Sequence, residues 1–292
     1  MFERGSIIAS VVTGVLLSTI VAASAFDETK YPDLKGMWRR GPNAITEGVR
    51  QGRGNVFDPT KAWGPAQQPP LTPEYQARFE ANLADQAAGG QGNVPWVRCI
   101  ANGMPAIMTV FQPMEIVVTP DVTYIMIDQV HDSVRRVYTD GRDWPADVDP
   151  AFDGYSIGRW TDADASGRYG ALEIETRALK GPRVYDASGI PLHPDNQSVI
   201  KERLYLSKAD ANLLHDEITV IDHALTRPWT VLKSYRRNPD PRPYWPEYVC
   251  ADGQSHVQIG KETYYLSADG QLMPAKKDQL PPDFRYFKST RQ

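Results

Sequence analysis

From Met114 to Tyr138 the chain reads MEIVVTPDVTYIMIDQVHDSVRRVY, and this stretch decides the fold class. Three runs rich in Val, Ile and Tyr (Met114–Thr119, Val122–Gln129 and Ser133–Tyr138) are parted by Pro120-Asp121 and by the polar stretch around His131-Asp132. Apolar residues recur with a period of two, the spacing of a strand with one buried face. Outward from this stretch, Asp140-Gly141 reads as a turn. Tyr155–Thr161, Ala171–Thr176, Gln197–Ser207, Asn212–Asp222 and Pro228–Arg236 repeat the pattern, with Gly- or Asp-containing joins. Strands in succession without helices between them exclude a βαβ parallel sheet. They predict a mainly β protein: an antiparallel meander forming a barrel or strongly curved sheet, lipocalin-like, over residues 96–292.

Several strands are polar along one whole side. Glu173 and Glu175 oppose Leu172 and Ile174, and His215 and Glu217 oppose Ile218 and Val220. A solvated outer face accounts for most of these. In a closed sheet, some of them would instead line a partly polar cavity.

Residues 26–95 lack long apolar runs and are rich in Pro, Gly and Gln. They read as an irregular arm laid on the barrel, with Trp38, Trp63 and Trp96 as anchors. One helix is expected within the arm, over 73–88. Thr72 can cap it, Pro73 suits its first position, and Gly89-Gly90 ends it. Tyr75, Phe79 and Leu83 give it a single apolar stripe.

Residues 1–25 read as an export signal. Arg4 is followed by an uncharged run from Ile7 to Ala23, and Ala23-Ser24-Ala25 fits the small-residue cleavage pattern. The competing reading is an uncleaved anchor. Cleavage predicts a periplasmic or secreted chain with no membrane span. In that oxidising setting the two cysteines, Cys99 and Cys250, are expected to pair, the alternative being two unrelated buried thiols. With 32 Lys+Arg against 36 Asp+Glu and no basic run longer than two residues, the composition argues against nucleic acid as the natural partner.

Motifs with chemical meaning are few. Gly154-Tyr-Ser156-Ile-Gly158 has the G-x-S-x-G form of a nucleophile elbow, but lacks the strand before and the helix after that expose such a serine. Asp162-Ala-Asp164-Ala-Ser166-Gly167, with Glu173 at the twelfth position, has the oxygen spacing of a calcium loop in a strand–turn–strand context. Calcium at the 162–173 loop is therefore weighed against a solvated hairpin tip. None of the five histidines belongs to a specific metal motif, and there is no G-x-G-x-x-G before a helix, P-loop or C-x-x-C. No organic cofactor is expected. His131 is followed within eleven residues by Arg135, Arg136, Asp140 and Arg142, a set able to combine a base with oxyanion stabilisation or to form a salt-bridged hairpin.

A wider set of residues resembles a known family. It comprises Pro32-Asp33-Leu34-x-Gly36-x-Trp38, Pro70-Leu71-Thr72-Pro73-Glu74-Tyr75, Cys99 with Gly103-Met104-Pro105, and Pro113-Met114-Glu115. It continues with Arg136-x-Tyr138-x-Asp140-Gly141-Arg142, Ser156-Ile157-Gly158-x-Trp160, Glu202-Arg203 and Thr226-x-Pro228-Trp229-Thr230. Together these resemble a family of exported, largely uncharacterised β-rich proteins of sphingomonads, rhizobia and acidobacteria. The resemblance implies a periplasmic β-rich protein and brings no reaction. Two departures stand out: Asp143-Trp144-Pro145 follows Asp-Gly-Arg where the family often has His and Pro, and the hairpin after Trp160 is longer.

The resulting functional expectation is a cofactor-independent lyase, isomerase or hydratase acting on a small apolar or aromatic molecule. His131 would be the base, Asp140 its orienting partner, Arg136 or Arg142 the stabiliser of negative charge, and His193 the acid. The alternatives are a non-catalytic periplasmic binding protein for the same class of ligand, and an envelope structural protein.

Overall fold

Alternating burial along the strands is what the fold is built on. A computed structural model describes residues 26–40, 68–87, 92–95, 99–109, 113–128, 133–245, 256–259, 262–266 and 271–282. The predicted signal, His131, Cys250, Trp63 and Trp96 lie outside these residues.

Nine strands close into a barrel: β1 (Met37–Arg40), β2 (Met114–Val118), β3 (Val122–Ile127), β4 (Ser133–Tyr138), β5 (Tyr155–Thr161), β6 (Ala171–Arg177), β7 (Val199–Leu206), β8 (Leu213–Ile221) and β9 (Trp229–Arg237). Each pairs with the next, and β1 returns to pair with β9 through Trp38↔Arg237 and Arg40↔Tyr235. All neighbours are antiparallel except β4 and β5, which run parallel with Val137 opposite Ser156. An odd count requires this, because alternating directions close a ring only with an even number of strands. The β4–β5 seam is tight. A Cβ on Gly158 would lie 2.6 Å from Val137 Cγ1, and one on Gly154, at φ +66°, would lie 2.5 Å from the Arg177 carbonyl oxygen. These contacts account for both glycines of the G-x-S-x-G match, and Ser156 between them points into the core.

The eight strands read from alternation form within two residues of their expected ends. β1 lies inside the region read as an arm, and it is the strand that completes the ring. Its Trp38 is fully buried and donates from Nε1 to the Leu34 carbonyl at 2.9 Å. A second, three-stranded sheet follows the barrel in sequence: β10 (His256–Ile259), β11 (Glu262–Leu266) and β12 (Leu272–Pro274).

The inward faces hold Ile125, Leu172, Ile200, Leu214, Ile218 and Trp229, all buried. The segment around the 3-10 turn Ala106–Thr109 adds Met104, Ile107 and Met108, and the β6–β7 connection adds Leu179, Tyr185, Ile190 and Leu192 to the same cluster. The barrel interior is thus occupied by protein. Helix α1 (Pro73–Ala87) packs over the end where β6 and β8 finish, next to the Leu71↔Leu225 bridge. Tyr75 and Phe79 face the body as expected. In the third turn, however, Leu83 is exposed, and Asn82 is buried instead, bonded to the Ser188 carbonyl and the Asn93 amide. Among the described residues no helix is long and apolar enough to cross a membrane.

Candidate functional site

Period-two geometry places Arg136 on the outside of β4, exposed. The turn after β4 places Asp140 and Arg142 against that same outer wall. Arg142 binds the Asp140 carboxylate through Nε at 2.9 and 3.0 Å and through Nη2 at 2.6 Å. Its guanidinium also lies 3.8 Å above the Tyr138 ring, which stacks on Tyr155 at 4.9 Å. Trp144, from the departing Asp-Trp-Pro segment, joins this stack 6.1 Å from Tyr155 and carries Arg177 on its face. Hydrogen bonds from Arg142 hold the Asp140 carboxyl below its ordinary range. Both charges are therefore spent on each other and on aromatic faces. No hydrogen bond, ion pair or ring contact among the described residues links this group to His193, so four of the expected site residues divide between two places.

The inward face of the same wall carries Arg135, which the sequence offers only as one of the charged residues after His131, and ionic partners to which it assigns no role. Arg135 is buried and bonded to Glu202 through two nitrogens, Nη1 at 2.8 Å and Nη2 closer still. Thr176 Oγ1 accepts from Arg135 Nη2 at 2.9 Å, and the Ser156 hydroxyl lies 2.8 Å from that of Thr176. Asp216, on β8 next to the strand of Glu202, is fully buried. Burial, reinforced by the nearby Glu202 charge, pushes its carboxyl well above the ordinary range. Enclosed on all sides, this cluster can hold the barrel in register, but small molecules do not reach it.

His193 lies at the end of the barrel covered by α1. The β6–β7 connection brings its side chain to Asp195, with Nδ1 3.0 Å from Oδ2, and the β8–β9 connection brings His223 Nδ1 to the same oxygen. Beneath them is a buried layer. Arg183 donates to the Leu179 carbonyl at 2.9 Å, to Ser198 Oγ at 2.7 Å and to the His193 carbonyl. Asp222 accepts from the His193 amide at 2.9 Å, from the Ala224 amide at 2.7 Å and from Ser198 Oγ. The two loops that present the histidines are thereby fastened to one another. No sequence signal marks His223 or Asp195, because the three side chains come together only through the β7–β8 register.

A groove of about 620 Å³ lies at the opposite end of the barrel, between the segment Phe26–Lys35 and the outer edge of β2. Phe26, Tyr31, Leu34, Ile116, Val117 and Val118 supply its apolar lining, and Val117 is 44% exposed. Tyr31 forms the hub of an aromatic group, 5.1 Å from Phe26, 5.2 Å edge-on to Trp160 and 5.0 Å from Tyr169. Lys35 and Glu28 neutralise each other at 2.7 Å, and Arg168 comes from the β5–β6 hairpin. That hairpin is the calcium-like loop. Its Asp162 carboxylate accepts from the Ser166 amide at 3.0 Å and the Gly167 amide at 2.7 Å, while Glu173 pairs with Arg159 at 3.2 Å.

A second concavity, of about 430 Å³, runs along the outer faces of β5 to β8 and is lined by alternating charges. Arg159–Glu173, Lys201–Glu175 and Arg203–Glu217 pair across it at 3.2, 3.5 and 3.8 Å. The sequence shows these glutamates on an outer face, as expected. Tyr31 and Val117, by contrast, carry no sequence mark of a ligand groove. No protein-family model matches the chain, and no curated protein matches it.

Proposed function

We propose that this protein binds a small apolar or aromatic molecule in the groove between Phe26–Lys35 and β2, without converting it. The supporting observation is a half-open concavity of about 620 Å³, within the roughly 300–1,000 Å³ of small-molecule sites, walled by aliphatic and aromatic side chains. Tyr31 lines the groove and brings an aromatic side chain within reach of a planar ligand. Arg168 at the rim can meet a carboxylate or phenolate on it. Of the ionisable groups lining the groove, Glu28 and Lys35 hold each other and Asp33 lies 3.7 Å from Arg237. This favours binding over the lyase or isomerase chemistry that the sequence also allows. With an export signal removed before Phe26, the protein acts in the periplasm and needs no organic cofactor. Calcium at the 162–173 loop is no part of this proposal, because Asp162 and Glu173 are already engaged.

The test is incubation of the untagged protein with a panel of terpenoid and lignin-derived aromatic compounds, followed by native mass spectrometry and analysis of the released molecule. The expected result is a retained, chemically unchanged ligand whose affinity falls at least about tenfold in Val117→Trp, which fills the groove, with the unfolding midpoint preserved. A converted ligand, a panel with no retained member, or binding that ignores Val117→Trp would each overturn the reading.

A further inference from the structure

His193, Asp195 and His223 have the composition and spacing of a divalent metal site. We infer that they form one, selective for a late first-row ion such as Zn²⁺ over Ca²⁺ or Mg²⁺, at the end of the barrel away from the ligand groove. Each residue offers one ligand atom, and these atoms lie within 4.8 Å of one another. His193 Nδ1 and Asp195 Oδ2 are 3.0 Å apart. Ligands about 2.0–2.2 Å from a common ion lie roughly 3.0–3.5 Å from each other, so the His193–Asp195 separation suits a shared cation, while the closer His223–Asp195 pair opens by a side-chain rotation to admit it.

The hydrogen bonding supports the same conclusion. The Asp195 amide lies 3.2 Å from His193 Nδ1, and an amide can only donate, so that nitrogen carries a lone pair. His193 Nδ1 lies 3.0 Å from Asp195 Oδ2, and His223 Nδ1 is hydrogen-bonded to the same oxygen, so the three ligand atoms already converge. A divalent ion bound there displaces the imidazole proton of the His223–Asp195 hydrogen bond and replaces these contacts with three coordinate bonds. Two imidazoles with one carboxylate suit zinc-class ions and disfavour the all-oxygen preference of calcium and magnesium.

The supporting residues are already in place. Gln197 N donates to the other carboxylate oxygen of Asp195 at 3.1 Å, and the buried Asp222 and Arg183 fix the backbone of His193 from both sides. Such outer groups orient ligands and are needed for tight binding. The ligand side chains remain reachable, with His193 34%, Asp195 19% and His223 65% exposed. Three protein ligands and solvent access leave at least one coordination position for water or another molecule, the arrangement of a reactive rather than a purely structural ion. This inference does not depend on the groove.

Zinc and cobalt titration of the untagged, chelator-treated protein provides the test, by calorimetry and by the visible absorption of bound Co²⁺. One ion per chain is expected, with a cobalt band reporting nitrogen and oxygen ligation and no competition from millimolar Ca²⁺. His223→Gln, on the most exposed ligand, should weaken binding about 100-fold while leaving the far-ultraviolet circular dichroism intact. Asp195→Asn should do the same, and His215→Gln, on the outer face of β8, should change nothing. Absence of stoichiometric binding, or binding that survives both His223→Gln and Asp195→Asn, would overturn the assignment.

Discussion

Arg135 and Arg136 are neighbours in the sequence and opposites in the structure. One is sealed inside the barrel against Glu202, Thr176 and Ser156, and the other stands in solvent on the outer wall. The pattern extends to the sheet as a whole. Arginine–carboxylate pairs on the outside, such as Arg159–Glu173, are screened and exchangeable with water, whereas the inner pair has no water to fall back on. Identical chemistry thus keeps the outer wall hydrated on one side and acts as a register-fixing strut on the other.

Breaking the inner pair should have the largest effect. Arg135→Met leaves Glu202 buried and uncompensated, and should cost about 3–5 kcal/mol in urea unfolding. Arg135→Met combined with Glu202→Leu should recover most of that loss, since two apolar groups replace the pair without leaving a stranded charge. If the double variant is as unstable as the single, the strut contributes more than its charge balance. Thr176→Val deletes a hydroxyl that binds both Arg135 and Ser156, and should cost about 1–3 kcal/mol.

A smaller effect depends on pH. The folded chain holds the Asp216 proton more tightly than the unfolded chain, whose aspartates titrate near about 3.9. Stability contributed by this group is therefore complete below about pH 4 and declines as the pH rises. Asp216→Asn should be the more stable protein at pH 7, with the two unfolding curves converging near about pH 3. Parallel curves from pH 3 to 7 would show that Asp216 is ionised in the fold. The smallest effect belongs to Arg136→Ala, which should leave the melting temperature within experimental error. A clear drop there would erase the contrast between the two walls.

How much of this is legible in the sequence follows from the same contrast. Alternation reveals that β4 has two faces, and Glu173, Glu175, His215 and Glu217 fall on the outer side as their apolar neighbours imply. Alternation does not reveal which arginine of an adjacent pair goes inward, and charge argues against burying either. Arg136 therefore drew the functional reading while Arg135 carries the structural role. β1 escaped notice because four residues among prolines and glycines make too short a run to show a period. The pairing of His193 with His223 was invisible for a different reason: it depends on where β7 and β8 meet, and a single strand does not encode that meeting point. The helix was readable down to Phe79 and misleading at Leu83, where Asn82 finds backbone partners that no hydropathy pattern registers.

The shortest strand of the barrel is also the first to be synthesised. Met37–Arg40 leaves the ribosome long before Arg237, yet it needs Arg237, which spans the Asp33 and Lys35 carbonyls and lies 4.3 Å over the Trp38 ring. Ring closure is therefore a late, end-to-end event, and an emerging chain must carry an unsealed edge until its last barrel strand arrives.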